Sequence, residues 1–402
     1  MTVTPRKMRE QKTVKHPERA RDGQQWLYDY LVKTTGRAVH FEMDARQMPQ
    51  QVKSFRMATK FMARCAADAE RLADAAFAHG DVLNARVLYR AASEHYREAQ
   101  HYSVFPLGEK RWELYAKAKS CASRVYELAD YPIEIVEIPY EGGSVPAILH
   151  LCPSEAPAPA VVFIPGMDNT KENWPNPLAN EFHKRGMHVL AIDGPGQGEA
   201  LQRGIYVNAT NHVDAARASF EFLAKRDDVN ESRIGIAGRS FGTFWSMRAA
   251  AEEPRFAAIA GAVACYYWDR LTIFDEAPIR FKQVFMAMAG MEDEDAFDAM
   301  CEGITLKGHA ERIACPVLMA TGEFDSLNPL EESEAVYEAL TCPKEMWIFE
   351  DEFHSIRAPK ALAGHGTFHF VAEWMSRALA GKIKPDHARK AFIQPNGIGM
   401  YD

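Results

Sequence analysis

The sequence predicts an α/β fold: a mostly parallel central sheet, helices on both faces, and a helical cap region ahead of it. Two observations carry this. The chain changes character near residue 131, from helical periodicity to short apolar runs. Beyond Pro132 those runs alternate with helical segments, as they do when a parallel sheet is covered on both faces.

In the first part, Phe55, Ala58, Met62, Cys65, Ala69, Leu72 and Ala76 step by three and four and form one apolar stripe. His79-Gly80-Asp81 supplies a turn and an N-cap. Leu83, Val87, Leu88 and Ala91 begin a second stripe. After Phe105-Pro106-Leu107-Gly108, a third runs through Trp112, Tyr115, Ala118, Ala122, Val125 and Leu128. No clear repeat follows, so a small helical bundle is expected rather than a solenoid array. Residues 1–130 are accordingly read as a helical cap or lid domain, and 131–402 as the α/β domain.

In the second part, Ile133–Pro139 and Val145–Leu151 read as a hairpin across Glu141-Gly142-Gly143. Strands are then expected at Ala160–Ile164, His188–Ile192, Arg233–Ala237, Ala257–Ala264, Pro316–Ala320 and Met346–Phe349. Helices are expected near 176–185, 211–225, 242–252, 330–340 and 360–380. Residues 268–312, rich in Met and aromatics, interrupt the rhythm and read as a helical insertion over the C-terminal edge of the sheet, where open α/β sheets hold ligands.

Composition narrows the function. Hydrophobic residues make up 47% of the 402 and charged residues 25%, enough for a sizeable core. A formal net charge of −8 gives no electrostatic reason to expect nucleic acid or an anionic membrane as partner. The short basic run at Arg6, Lys7, Arg9, Lys12 and Lys15 reads as a solvated tail. With no signal-like start and no bilayer-length apolar run, a cytoplasmic location is expected. Seven scattered cysteines without a C-x-x-C fit reduced core thiols, Cys152, Cys265 and Cys315 among them.

The chemistry points to Gly238-Arg239-Ser240-Phe241-Gly242, a G-x-S-x-G between an apolar strand and a helical run. A sharp strand-to-helix turn exposes the Ser240 hydroxyl, and only small residues fit around so tight a backbone. Serine needs a histidine base, and the histidine needs a carboxylate. Asp325 and His354 follow the last two expected strands, in the chain order this turn demands. Glu323 rivals Asp325 but lies nearer the strand end. The backbone N–H of Phe241 and one from Pro165-Gly166-Met167-Asp168, assigned to Met167, are the expected oxyanion donors. Asp168 is expected to hold that loop through local side-chain to backbone bonds. Asp193-Gly194-Pro195-Gly196-Gln197-Gly198-Glu199 lacks the Lys-Ser/Thr of a phosphate loop and reads as a structural turn. His365 and His369 have a metal-binding spacing but no third ligand, so they read as surface or packing residues. Among the aromatics after Ser240, Tyr267 and Trp268 are the expected substrate contacts. No cofactor and no metal are expected.

Together the helical N-terminus, the loop Gly166-Met167-Asp168-Asn169-Thr170-Lys171-Glu172, the turn at 193–198 and the Ser240 elbow resemble the 2,6-dihydroxypseudooxynicotine hydrolase group of the α/β-hydrolase fold. Fungal polyketide-shortening hydrolases and fermentation–respiration switch proteins look like its relatives. The likeness spans residues 20–380. It implies Ser240, Asp325 and His354 as triad, cofactor-free cleavage of a carbon–carbon bond next to a carbonyl, a small aromatic or polyketide-like substrate, and a homodimer. Two departures stand out. Thr243 replaces a second elbow glycine and is expected to narrow the space near the nucleophile. An extra acidic residue has only Asp269 and Asp275 as positional candidates. Simple carboxylester hydrolysis with the same residues, and a non-catalytic binding or regulatory relative, are the competing readings.

Overall fold

A computed structural model describes residue 52 and residues 54–103, 108–140, 143–356 and 365–401. The basic run at 6–15, part of the hairpin turn at 141–142 and the turn at 105–107 lie outside them. Three helices come first: α1 (Phe55–Ala78), α2 (Val82–His101) and α3 (Glu109–Glu127). Ser54 caps α1 and Asp81 caps α2, each accepting from a backbone N–H three residues on.

The buried faces differ from the apolar stripes. In α3 the expected face is inward, with Tyr115, Ala118, Ala122 and Val125 buried. In α1, Ala58, Met62, Ala66 and Ala73 are buried, while Leu72 faces out. In α2 the expectation fails. Leu83 and Val87 are exposed, and the inward face carries Arg86, Tyr89, Arg90, Ser93, Tyr96 and Arg97. The reason is polar partners across the interface, described below.

A nine-stranded sheet follows, in spatial order β1-β2-β4-β3-β5-β6-β7-β8-β9. Its strands are β1 (Ile133–Tyr140), β2 (Gly143–His150), β3 (Ala158–Ile164), β4 (His188–Ile192), β5 (Val229–Gly238), β6 (Ile259–Gly261), β7 (Val317–Gly322), β8 (Lys344–Phe349) and β9 (Ala388–Ile393). The β1–β2 and β2–β4 pairs are antiparallel, and every later pair is parallel. Strands β3 and β4 are buried at every position, as a sheet covered on both faces requires. The covering helices are α5 (Asn211–Ala224), α6 (Phe241–Glu252), α10 (Leu330–Ala339) and α11 (Thr367–Leu379), with a short α4 (Gly198–Gln202) after β4.

The insertion at 268–312 is helical, with α7 (Thr272–Asp275), α8 (Arg280–Met288) and α9 (Glu294–Cys301). Its phenylalanines are core. Phe241 sits 4.9 Å from Phe285 and 5.9 Å from Phe274, centroid to centroid, so the insertion is packed onto the start of α6.

Three expectations are corrected. Residues 176–185 do not form an α-helix: only His183–Arg185 makes a 3₁₀ turn. Pro175 and Pro177 remove donors there, and Asn180 Oδ1 instead accepts from the N–H groups of Phe182 and His183. The strand expected over 257–264 shortens to β6, because Val263 O leaves the ladder to accept from Ser240 N–H and Thr243 Oγ1. Strand β9 was not expected at all: its half-exposed run Ala-Arg-Lys-Ala-Phe-Ile carries no apolar block. All seven cysteines are free, and no helix among the described residues is long and apolar enough to cross a membrane.

Candidate active site

Strand β5 ends at Gly238 and α6 begins at Phe241, leaving two residues for the reversal. Ser240 takes the strain, with φ 54° and ψ −130°, a left-handed conformation rare outside glycine. The flanking glycines are steric necessities. A Cβ on Gly238 would lie 2.2 Å from Gly242 O, and one on Gly242 would lie 2.1 Å from Ile164 O. The elbow therefore presses on the end of β3 without a gap.

Asp325 and His354 are brought together by backbone. Glu323 N–H donates to Phe349 O (3.0 Å) and Phe324 N–H to Glu352 O (2.9 Å), tying the turn after β7 to the turn after β8. Asp325 Oδ1 accepts from the N–H groups of Leu327 (2.9 Å) and Asn328 (3.1 Å), which fixes the carboxylate. His354 Nδ1 lies 2.9 Å from Asp325 Oδ2, and Nε2 lies 2.8 Å from Ser240 Oγ. A carboxylate only accepts, so Nδ1 carries the proton and Nε2 is free to accept from the serine. Asp325 and His354 are buried, and Ser240 is half-buried. Glu323 turns away and accepts from Asp351 N–H.

The N–H groups of Phe241 and Met167 have no backbone or side-chain acceptor among the described residues. Phe241 opens α6, where the helix dipole favours negative charge. Gly166 lies against the elbow, since a Cβ there would be 3.5 Å from Ser240 Cβ.

Loop 166–172 is held by groups that sequence reasoning did not find. Asp193 accepts from Lys171 N–H (2.8 Å), Lys171 Nζ (2.9 Å), Glu199 N–H (2.9 Å) and Tyr115 OH (3.0 Å). Lys171 Nζ also reaches Glu172 (2.9 Å) and Glu199 (2.7 Å). Burial alone would push Lys171 down, but Asp193, Glu172 and Glu199 hold it well above the ordinary lysine value, so it is cationic. Gln197 Nε2 donates to Gly166 O (2.8 Å). The turn at 193–199 thus braces the loop as well as reversing the chain. From the other side, Arg90 donates to Glu172 O (2.6 Å) and Asn173 O (2.9 Å), and Arg97 to Asn169 Oδ1 (3.0 Å). The signal in sequence was Asp193 itself, the first polar residue after the apolar run Val189–Ile192.

Two assignments change here. Asp168 pairs with His101 at the end of α2, so its carboxylate reaches from the loop to the N-terminal helices. Thr243 does not crowd the nucleophile: it is buried toward β6, with Oγ1 on Val263 O.

The expected substrate contacts are dispersed. Tyr267 is buried, its OH 3.2 Å from Cys265 Sγ, which is 3.8 Å from Ser240 Oγ. Trp268 and Asp269 line a cleft of about 470 Å³ in the insertion, whose lining includes neither Ser240 nor His354. Asp269 is exposed and pairs with Lys307 Nζ at 2.8 Å, and Asp275 is exposed in the same cleft. His369 Nδ1 contacts Glu181 at 2.9 Å while its ring stacks on His365. Among the described residues, no group of three or more His, Cys, Asp or Glu is placed to hold a metal.

The sequence profile of the prolyl oligopeptidase family matches residues 178–382. The chain is 27% identical over 302 residues to 2,6-dihydropseudooxynicotine hydrolase of Paenarthrobacter nicotinovorans, covering 73% of this chain and 77% of that one. It is 28% identical over 306 residues to alpha/beta hydrolase xenA of Xenoacremonium sinensis, covering 68% and 69%. The crystal structure of the 2,6-dihydroxy-pseudo-oxynicotine hydrolase superposes with a TM-score of 0.72 at 23% identity, over 89% of this chain and 97% of that one. The shared architecture is the α/β-hydrolase fold with helices ahead of it.

Proposed function

We propose, from the premise that the chain belongs to the prolyl oligopeptidase family, a serine hydrolase that cleaves a carbon–carbon bond beside a carbonyl through an acyl-enzyme. The observation that carries the reading is the continuous relay from Ser240 Oγ through His354 to Asp325. His354 takes the Ser240 proton as Oγ attacks the carbonyl carbon. The N–H groups of Phe241 and Met167 stabilise the oxyanion. The tetrahedral intermediate collapses, its C–C bond electrons leave as a carbanion, and the His354 imidazolium returns the proton to that carbon. Water, deprotonated by His354, then releases the acid and regenerates Ser240. The leaving carbon must be stabilised by a second carbonyl or a phenolic ring, so a β-dicarbonyl or acyl-aromatic compound is the substrate class. The relative named 2,6-dihydropseudooxynicotine hydrolase supports this choice of chemistry over other acyl transfers.

Residues 55–127 act in this reading as a cap that fixes the oxyanion loop and closes the substrate space. The free cysteines favour a reducing compartment, the cytoplasm, and a homodimer is the assembly we expect, to be measured by sedimentation.

The experiment has two stages. A fluorophosphonate probe should label the wild type and not Ser240→Ala; an unlabelled wild type favours a binding protein. Products from a panel of β-diketones, esters and amides then identify the bond. Cleavage of esters alone overturns the carbon–carbon assignment and leaves a carboxylesterase.

A further inference from the structure

We propose that Arg111, in the first turn of α3, anchors a carboxylate carried by the substrate beside the loop that follows β3. The inference rests on the serine-hydrolase reading above and names a feature of the substrate which that reading leaves open.

Arg111 is only 6% exposed. A guanidinium keeps its charge and offers five donors in a planar fork, so burial without acceptors is costly. The other buried arginines of the N-terminal helices meet this demand: Arg86 on Asp130, Arg90 on Glu172 O and Asn173 O, Arg97 on Asn169 Oδ1. Arg111 does not. Its Nε is buried without an acceptor, as in those three, but among the described residues no carboxylate, carbonyl or side-chain amide accepts from any other part of its guanidinium either. Its close neighbour is an indole, with the Trp112 ring centroid 5.4 Å from Cζ. Burial pushes Arg111 down to about 10, Asp168 acting to raise it and Arg280 to lower it, so the group is still a cation at neutral pH.

Its position ties it to the reaction centre. One turn further along α3, Tyr115 reaches Glu172 (3.2 Å) and Asp193 (3.0 Å) with its hydroxyl. Residues 111 and 115 share a helix face, so that face lies over loop 166–172. Asp168, whose charge acts on Arg111, directly follows Met167, the proposed oxyanion donor. Arg280 comes from the insertion and donates to His101 O (2.6 Å). Arg111 therefore stands where the cap, the insertion and the oxyanion loop meet. Asp168 offsets part of the charge there, but it is engaged by His101. A planar carboxylate is the acceptor that matches both faces of the requirement: it supplies two oxygens to the fork, and it arrives with substrate rather than occupying the site permanently. Because the cation is already fixed in the free protein, little ordering opposes binding.

The test compares 4-nitrophenyl hemisuccinate with its neutral isostere 4-nitrophenyl valerate. The ratio of their kcat/KM values should fall at least about thirty-fold in Arg111→Gln, through KM of the hemisuccinate, and Arg111→Lys should recover part of it. An unmoved ratio in folded Arg111→Gln overturns the proposal. Where that variant fails to fold, calorimetric titration of Ser240→Ala and of Ser240→Ala with Arg111→Lys decides. Benzoate should bind the first and bind the second at least about ten-fold more weakly. Equal affinity, or binding of inorganic phosphate without benzoate, overturns the carboxylate assignment. A wild type that turns over neither ester and takes no fluorophosphonate probe sinks the hydrolase reading, and the benzoate titration still judges Arg111.

Discussion

Lys171 Nζ lies 2.9 Å from Asp193 Oδ2, and both side chains are buried beneath the loop that offers the Met167 N–H. This one cation faces Asp193, Glu172 and Glu199. Removing it as Lys171→Met leaves buried carboxylates without a counter-charge, which in other proteins costs about 3–5 kcal/mol. Urea unfolding at pH 7 should show a loss of that size, with kcat reduced in the protein that remains folded. A variant as stable as the wild type would mean the network does not hold the loop.

Asp325 is the next test, because its carboxylate is shared between backbone donors and the histidine. Oδ1 accepts from the N–H groups of Leu327 and Asn328 and also lies 3.1 Å from His354 Nδ1, while Oδ2 meets Nδ1 at 2.9 Å. In Asp325→Asn the amide oxygen can keep the backbone bonds while the NH₂ turns to the histidine. Imidazole must then accept at Nδ1 and carry its proton at Nε2, where it cannot take one from Ser240. On that ground kcat should fall about 10⁴-fold with stability little changed. Steady-state kinetics on a 4-nitrophenyl ester, beside a thermal melt, checks both halves.

The reach and the limit of the sequence follow from the same physics. Strands such as β3 and β4 are continuous apolar runs because both faces are covered, so their positions were legible. So was the elbow, whose glycines are dictated by contacts within a few residues or with the adjacent strand. The inward face of α2 was not. Hydrophobic periodicity scores Arg86, Arg90 and Arg97 as surface, and their acceptors lie 44, 82 and 72 residues away. Asp168 misled for the same reason: its partner, His101, belongs to another layer of the fold. The candidate triad could be read locally, whereas the groups that hold the loop beside it are paired over long range.

Gly242→Ala tests whether the elbow glycine is a steric requirement. The new Cβ would lie 2.1 Å from Ile164 O and 2.4 Å from Pro165 O. Both are backbone atoms, so the strain is relieved only by moving the residues just before Met167. A stability loss of about 3 kcal/mol is expected, at the upper end of overpacking effects. In the folded fraction the fluorophosphonate reaction should slow more than substrate-analogue binding weakens. Unchanged labelling would show that the oxyanion loop tolerates the shift.

Buried histidines set the acid limit of the fold. His212 stacks on Trp245 with centroids 3.6 Å apart and donates from Nε2 to Pro195 O at 2.9 Å. Burial pushes its pKa down to about 3, the bond to Pro195 acting only weakly against this, and burial does the same to His150. The ordinary histidine value is 6.5. Between pH 6.5 and about 3 the unfolded chain therefore binds protons that the folded chain refuses. The stabilisation is complete above pH 6.5 and is lost as pH falls. The slope is at most about 1.4 kcal/mol per pH unit for each such histidine. Carboxylates titrate lower when unfolded, so the interval from pH 6.5 to 5 isolates the histidines. Denaturant unfolding at pH 7, 6 and 5 should show wild-type stability falling across it. His212→Gln keeps a donor for Pro195 O without a titrating ring. It should start lower at pH 7, having lost the stack on Trp245, and fall less steeply. Parallel slopes for the two proteins would rule out His212 as a source of the acid sensitivity.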